Sequence, residues 1–432
     1  MGRPDQSSRG AQAARLARGA ADWLIDGLAL DPRDLSLYHG LAGVVLALHE
    51  AHRHFGDDRY GRAVERAADA LSAQADGLED CSLYFGLTGV AVALRALGRD
   101  AAADRGLNRV RSRFDGQRWH EMFELFMGNA GIGLGALHAG DVDLAVMAVT
   151  PYLTTADRTR SGVNWAVRPS PARSHHLAHG TLGIVYALAS VGEAAGRQDM
   201  IEMALAGAAD VAGRNEAGPD GFLVPHSDPP HRPEIIERYS YGWCNGPAGD
   251  AQVFRLLAGV TRDEAWADLS DRCWRTVRGS GLPGRTRPGF WDNNGRCCGT
   301  AGVLALACDR LVERDDDFEF ANVLVDDLTA RAIVDDAGVR WSNYEHRAAP
   351  SDLEPRPGWA MGNAGIIREL LRYARLSDSG AGGYAVPWPD QLAATATPGA
   401  APACAGAGPV EPRTTSSGSN SSSSGSTEAL SI

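Results

Sequence analysis

A pair of glycines separated by two residues, followed at once by an apolar helical run, occurs seven times along this chain. The copies begin at Gly40, Gly86, Gly128, Gly180, Gly246, Gly299 and Gly362. A single pair is a weak signal and could mark no more than a tight turn. The spacing of about 40 to 65 residues, however, suits two helices and a connection per copy, as in helical repeat proteins. Because strand-type alternation is nearly absent, the repeats predict an all-α fold.

The helices that follow the glycine pairs differ from the helices between them. The former are apolar on nearly every side, whereas intervening segments such as RYGRAVERAADALSAQA carry charge on one side. A helix that is apolar all round must be buried, and an amphipathic helix can cover it. The pattern predicts a double-layered α/α toroid of seven Gly-x-x-Gly repeats, whose inner helices all start at one end. Loops on a rigid scaffold often carry function, so we expect the site at that end.

Charge and composition exclude several classes of protein. A net charge of -12 argues against a nucleic-acid binder, which needs clustered positive charge. All 42 basic residues are arginine, which excludes a phosphate-loop lysine and a Schiff-base lysine. No apolar run approaches the roughly 20 residues of a membrane-spanning helix. Since the N-terminus also lacks the apolar core of a signal peptide, we expect a cytoplasmic protein.

Composition also indicates the domain boundaries. Residues 1–10 are predicted to be a flexible N-terminus, and residues 11–377 the toroid. Residues 378–432 shift to Gly, Ala, Pro, Ser and Thr, and such a segment cannot bury enough apolar surface to offset its ordering entropy. We therefore expect a disordered tail, in which Cys404 has no catalytic role.

Three repeats carry reactive residues just before their glycine pairs, namely His179, Cys244 and the adjacent Cys297 and Cys298. In a toroid these places are neighbours around one rim. Three cysteine sulfurs match a tetrahedral site for one Zn2+ whose open fourth position is the catalytic arrangement. Buried core thiols and a vicinal disulfide are the alternatives. The shared placement of cysteine in two repeats favours the metal.

His179 could be a fourth ligand, an acid/base or a capping residue. A fourth protein ligand would close the metal to substrate, so we favour the acid/base role. Glu124 precedes the third glycine pair among apolar neighbours, where a carboxylate needs a partner, and His179 is the predicted partner. His175 and His176, in the same loop as His179, are predicted to be exposed.

These motifs and their order resemble the lanthionine synthetase C-like family. The resemblance covers roughly residues 36–376 and rests on the seven repeats together with AHG at His179, WCNG at Cys244 and CCG at Cys297 and Cys298. It implies an α/α toroid with one zinc ion at one end of the barrel. It also implies that the three cysteines bind this zinc and that His179 is the acid/base.

The chain departs from the family pattern at several positions. The common Cys-His-Gly motif is CCG here, so the third ligand is the Cys298 thiolate, as in a three-cysteine variant known within the family. The bacterial cyclases have aspartate at the position of Glu124. Ser240 replaces an arginine four residues before the first zinc cysteine, and Arg238 is the candidate to supply its charge. Arg238 and Trp243 are the predicted substrate-binding residues.

The resemblance implies zinc-dependent addition of a cysteine thiol to dehydroalanine or dehydrobutyrine in a precursor peptide, which closes thioether rings. A second hypothesis is addition of glutathione or another small thiol to dehydroamino acids in proteins. A third is a non-catalytic, zinc-containing toroid that binds peptides or has a regulatory role. The chain has no dehydratase-like region, so the first two hypotheses require a separate dehydratase as partner.

Overall fold

The computed structural model describes residues 6–27, 34–287, 290–343, 354–389 and 391. The α-helices are α1 (Gln6–Gly27), α2 (Leu41–Phe55), α3 (Asp58–Gln74), α4 (Leu87–Ala96), α5 (Asp100–Ser112), α6 (Asn129–His138), α7 (Val142–Val149), α8 (Tyr152–Thr155), α9 (Thr181–Ala195), α10 (Gln198–Ala212), α11 (Pro247–Thr261), α12 (Glu264–Gly279), α13 (Thr300–Glu313), α14 (Glu319–Arg331) and α15 (Asn363–Ser379). A 3-10 helix spans Ala75–Gly77.

Three short two-stranded antiparallel sheets lie between some of these helices. They pair β1 (Asp157–Arg158) with β2 (Val163–Asn164), β3 (Arg173–Ser174) with β4 (Ser227–Asp228), and β5 (Ile333–Asp335) with β6 (Gly338–Arg340). Within the described part of the chain, all other regular secondary structure is helical.

The helices form two concentric layers. The inner helices α2, α4, α6, α9, α11, α13 and α15 each begin directly after the first glycine of a pair, and their residues are mostly buried. Each contacts the next, and α15 contacts α2, so the inner layer closes on itself. Helices α3, α5, α7, α10, α12 and α14 cover it from outside, and α1 covers α15. The predicted double-layered α/α toroid is confirmed.

The second glycine of each pair permits a close backbone contact. A Cβ atom added at Gly249 would collide with the carbonyl oxygen of Trp243, six residues earlier. Gly89 has the same relation to Leu83, and Gly183 to Leu177. Each loop can therefore fold back onto the first turn of its inner helix only because that residue has no side chain.

The loops before the inner helices are joined by backbone hydrogen bonds at one end of the barrel. The residues involved occupy the same place in every repeat, two positions before the first glycine, and we call them the mouth ring: Tyr38, Tyr84, Phe126, Ala178, Cys244, Cys297 and Ala360. The N–H to O links run Tyr38 to Tyr84 (2.9 Å), Tyr84 to Phe126 (3.4 Å), Ala178 to Cys244 (2.9 Å), Cys244 to Cys297 (3.1 Å), Cys297 to Ala360 (2.9 Å) and Ala360 to Tyr38 (3.0 Å). Between the third and fourth repeats, the N–H of Phe126 instead donates to Glu124 Oε2 at 2.8 Å.

Both ends of the described chain pack onto the toroid. Helix α1 begins at Gln6, within the N-terminal segment predicted to be flexible, and α15 runs to Ser379. Trp388 is buried and stacks on Trp359, although it lies beyond the predicted start of the tail at 378. Residues 392–432, which hold Cys404, lie outside the described residues. Among the described helices, none is both long and apolar enough to cross a membrane.

Candidate metal centre

The mouth ring brings the three predicted cysteine ligands together. Cys244 and Cys297 are ring members linked by a backbone hydrogen bond, and Cys298 directly follows the second of them. The Cys244 and Cys298 sulfurs lie 3.2 Å apart, and the Cys297 and Cys298 sulfurs 3.4 Å apart. All three sulfurs fall within 4.8 Å of one another. Residues that are 54 positions apart in sequence thus form one cluster.

The donor set of this cluster fits zinc. Thiolate sulfur is a soft ligand that favours zinc over calcium or magnesium. A tetrahedral site with Zn–S bonds of about 2.3 Å separates its sulfurs by about 3.8 Å, which small side-chain rotations reach from the distances above. Cys244 and Cys297 are buried, whereas Cys298 is partly exposed. Three protein donors leave room for a fourth, exogenous ligand.

Hydrogen bonds distinguish the three sulfurs. The Tyr38 hydroxyl donates to Cys297 Sγ at 3.5 Å, and Asn245 Nδ2 donates to Cys244 Sγ at 3.6 Å. Burial raises the pKa of Cys297, but hydrogen bonds from Cys244, Cys298 and Tyr38 outweigh it and hold this pKa well below its ordinary value. The pKa of Cys244 is raised, first by its hydrogen bonds to the other two sulfurs. The hydrogen bond from the Tyr38 hydroxyl thus favours the thiolate form of Cys297.

His179 and Glu124 are neighbours at the break in the mouth ring. His179 Nδ1 lies 3.4 Å from Glu124 Oε2, and the His179 side chain is 17% exposed whereas that of Glu124 is 0% exposed. The Glu124 carboxylate also accepts the N–H groups of Phe126 at 2.8 Å and Met127 at 3.0 Å. The Phe126 ring contacts the imidazole at a centroid distance of 4.5 Å. Glu124 is thus fixed by the backbone and can orient His179.

The two predicted substrate-binding residues lie in different surroundings. Arg238, whose side chain is 54% exposed, forms an ion pair with Glu216 at 2.6 Å and donates to the Tyr239 hydroxyl at 2.8 Å. Trp243 is buried, with the Arg296 guanidinium 5.3 Å from the centre of its ring. Substrate binding by either residue stays a prediction.

The prediction that His175 and His176 are exposed is wrong, because both side chains are buried. His176 pairs with Asp250 in α11, and the N–H of His175 donates to the carbonyl oxygen of His226 at 3.2 Å. The prediction rested on their position in the same loop as His179. Their partners are 51 to 74 residues away along the chain, so no local pattern indicated the burial.

Sequence reasoning also missed Tyr38 as a neighbour of the cysteines. A signal for it exists, since Tyr38 stands two positions before Gly40, in the place that Cys244 and Cys297 hold in their own repeats. Aligning the seven repeats at that place would have put all three residues on one ring.

Comparisons with known proteins agree with the fold and with the motifs. The family model described as lanthionine synthetase C-like protein matches residues 31–216 and 232–325, more than half of the chain. The solved structure of nisin cyclase is similar with a TM-score of 0.58 and 16% identity, over 82% of this chain and 91% of that chain. No curated protein matches the sequence.

Two glycoside-active enzymes give weaker structural matches. An α-1,6-mannanase from Salegentibacter sp. HEL1_6 has a TM-score of 0.46 and 11% identity over 85% of this chain and 100% of that chain. An unsaturated glucuronyl hydrolase specific for heparin has a TM-score of 0.48 and 10% identity over 84% of this chain and 97% of that chain. At 16% identity, the similarity to nisin cyclase shows the α/α toroid alone.

Proposed function

The chain belongs to the lanthionine synthetase C-like family, and we propose that it is a zinc-dependent cyclase. In this proposal it adds a cysteine thiol to dehydroalanine or dehydrobutyrine in a precursor peptide and so closes thioether rings. The observation that carries the proposal is the cluster of Cys244, Cys297 and Cys298 at the mouth ring, with all sulfurs within 4.8 Å. The pairing of His179 with Glu124 in the same ring of loops supports it.

The three cysteines would hold one Zn2+ per chain. When bound, this ion supplies Lewis acidity, which lowers the pKa of a substrate thiol and makes it a thiolate near neutral pH. The cysteines come from loops that the mouth ring fixes to one another, so their sulfurs need little reorganisation to act as ligands. The partly exposed Cys298 marks the side of the cluster that a substrate can approach.

His179 would move the proton that the addition requires. The substrate sulfur forms a bond to the β-carbon, the carbon–carbon double bond gives its π electrons to the α-carbon, and the α-carbon then takes a proton. His179 Nε2 is the proposed donor, because Nδ1 faces Glu124 at 3.4 Å. A buried carboxylate that also accepts two backbone N–H groups holds the imidazole in one orientation. The substrate thiol proton can return to the same nitrogen.

The proposed substrate already contains dehydrated residues, so a separate dehydratase must supply it. A related possibility is that the thiol is a small molecule such as glutathione and that the dehydroamino acid lies in a protein. Both reactions would use the same sulfur cluster and the same proton donor. They differ only in whether the thiol and the alkene belong to one chain.

The test uses a synthetic peptide with one dehydroalanine and one cysteine. After incubation with the purified protein, N-ethylmaleimide adds mass to every peptide whose thiol is still free, and mass spectrometry counts the unlabelled, cyclised fraction. We expect cyclisation by the zinc-loaded protein and its loss in Cys298→Ala. Cys273→Ala, at a buried cysteine of α12 outside the cluster, is the matched control and should stay active.

A second arm adds glutathione to a peptide that has dehydroalanine but no cysteine. If the glutathione adduct forms faster than the cyclised product, the small-thiol addition is the favoured reaction. If the wild type binds one zinc yet Cys298→Ala loses neither activity, the catalytic proposal fails and a structural zinc is left.

A further inference from the structure

Tyr38 contacts the sulfur cluster across the place where the first repeat meets the seventh and the barrel closes. It belongs to the first repeat, and its hydroxyl lies 3.5 Å from the Sγ of Cys297 in the sixth repeat, 259 residues away along the chain. Ala360 of the seventh repeat lies between them in the mouth ring, donating its N–H to Tyr38 O and accepting that of Cys297. The Tyr38 hydroxyl thus contacts a sulfur carried two places along the mouth ring.

Aromatic neighbours hold the Tyr38 ring in this position. Its centroid lies 4.5 Å from that of His39, 5.1 Å from that of Phe85 and 5.4 Å from that of Phe126. The side chain is buried, and both of its backbone polar groups take part in the mouth ring. Little rotational freedom is left, so the hydroxyl is directed at Cys297 before any ligand binds.

A hydrogen bond at this point has a chemical consequence for a three-cysteine centre. Zn2+ with three thiolates carries a formal charge of about -1, and a substrate thiolate makes it about -2, one unit more negative than a site in which histidine replaces one cysteine. Burying such charge is unfavourable unless donors disperse it. Partners behind the direct ligands orient those ligands and tune their donor strength.

We propose that Tyr38 is a positioning residue of the metal centre, whose hydroxyl donates a hydrogen bond to Cys297 Sγ and draws electron density from that ligand. This inference rests on the zinc site of the proposed function. Because Cys297 Sγ accepts this hydrogen bond, the substrate sulfur is more electron-rich than the Cys297 sulfur and is the better nucleophile. Tyr38 thus favours reaction at the substrate over alkylation of the protein's own ligand.

The test replaces zinc by Co2+, whose thiolate-to-metal charge-transfer band reports the electron density on sulfur without any peptide. Tyr38→Phe keeps the ring contacts and removes only the hydroxyl. We expect this band to shift to lower energy, and the zinc affinity, measured by competition with a chelating dye, to fall by about tenfold or more. Tyr84→Phe is the matched control, because Tyr84 holds the same ring position in the next repeat and stacks on Trp359 at 5.5 Å. It should leave the band and the affinity unchanged.

The possible results separate this inference from the proposed function. A wild-type band that Tyr38→Phe does not shift, or that Tyr84→Phe shifts equally, overturns the role of Tyr38 and leaves the cyclase proposal standing. A shift confined to Tyr38→Phe supports the role of Tyr38 even when the zinc protein cyclises no peptide, a result that would count against the proposed reaction alone. A wild type with no thiolate-to-cobalt band overturns the metal centre itself and this inference with it.

Discussion

His176 Nδ1 lies 2.8 Å from Asp250 Oδ2 in the interior of the toroid, and both side chains are buried. His176 belongs to the loop that leads to His179, whereas Asp250 lies in the first turn of α11, directly after the loop that carries Cys244. The pair therefore joins the loop of the proposed proton donor to the helix that follows the first proposed metal ligand. It is a contact between the fourth and fifth repeats that adds to the backbone link from Ala178 to Cys244.

Replacing Asp250 should weaken the contact between the His179 loop and α11. In Asp250→Ala, the buried His176 loses its hydrogen-bond partner, and we expect the free energy of unfolding to fall by about 3 kcal/mol. Asp250→Asn keeps an oxygen that can accept from Nδ1, so its loss should be nearer 1 kcal/mol. Urea unfolding followed by circular dichroism measures both. Equal losses in the two variants would show that the hydrogen bond to His176 is not the stabilising contact.

Much of the fold could be predicted from the sequence, because every repeat carries its own signal. The glycine pair before an apolar helix recurs at Gly40 and six further places, and the structure confirms that each begins an inner helix. The placement of Cys244 and Cys297 at one position of their repeats was enough to predict that they meet. Repetition made these predictions possible, because residues at the same position of different repeats lie at the same level around the barrel.

The contacts between repeats could not be predicted in the same way. Nothing near Asp250 in sequence indicates a buried histidine partner. The hydroxyl of Tyr38 meets a sulfur that lies 259 residues away along the chain. Such pairings join side chains of different repeats, which periodicity alone does not reveal.

His175 should make stability depend on pH. Burial, together with the charges of Arg214 and His176, lowers its pKa to about 3, whereas an unfolded histidine titrates near 6.5. The unfolded chain therefore binds this proton first, and the stability present above pH 6.5 is lost as the pH falls from about 6.5 toward 3. Compared with His175→Gln, the wild type should lose about 1.4 kcal/mol more per pH unit in this window. Urea titrations at several pH values test this, and parallel curves for the two proteins would contradict it.

The pairing of Glu124 with His179 should appear as coupling between two substitutions. His179→Asn removes the proposed proton donor, and we expect kcat/KM for peptide cyclisation to fall by about 100-fold to 10,000-fold. Glu124→Gln should also lower it, since the amide carries no charge to orient the imidazole. If the two act as one unit, the double variant is hardly slower than His179→Asn alone. If the reduction in kcat/KM of the double variant equals the product of the two single reductions, at equal zinc content, Glu124 and His179 act independently.

Two glycines of α11 should respond in opposite ways to the same substitution. A methyl group at Gly249 would meet the carbonyl oxygen of Trp243, a backbone atom that cannot move without moving the neighbouring Cys244. We therefore expect Gly249→Ala to lower the free energy of unfolding by about 1 to 3 kcal/mol and to weaken zinc binding. Thermal unfolding and metal titration measure the two effects.

Gly259→Ala is the matched control. Gly259 lies ten residues after Gly249 in the same helix, and a Cβ atom there would meet nothing within 4 Å. Glycine in a helix interior is less favourable than alanine by about 0.5 to 1 kcal/mol, so this variant should be more stable than the wild type and bind zinc equally. A stable Gly249→Ala with unchanged zinc affinity would show that the loop before α11 can shift without disturbing the cysteines. In that case the close approach of loop and helix is a packing feature of the repeat and is not needed to hold the metal centre.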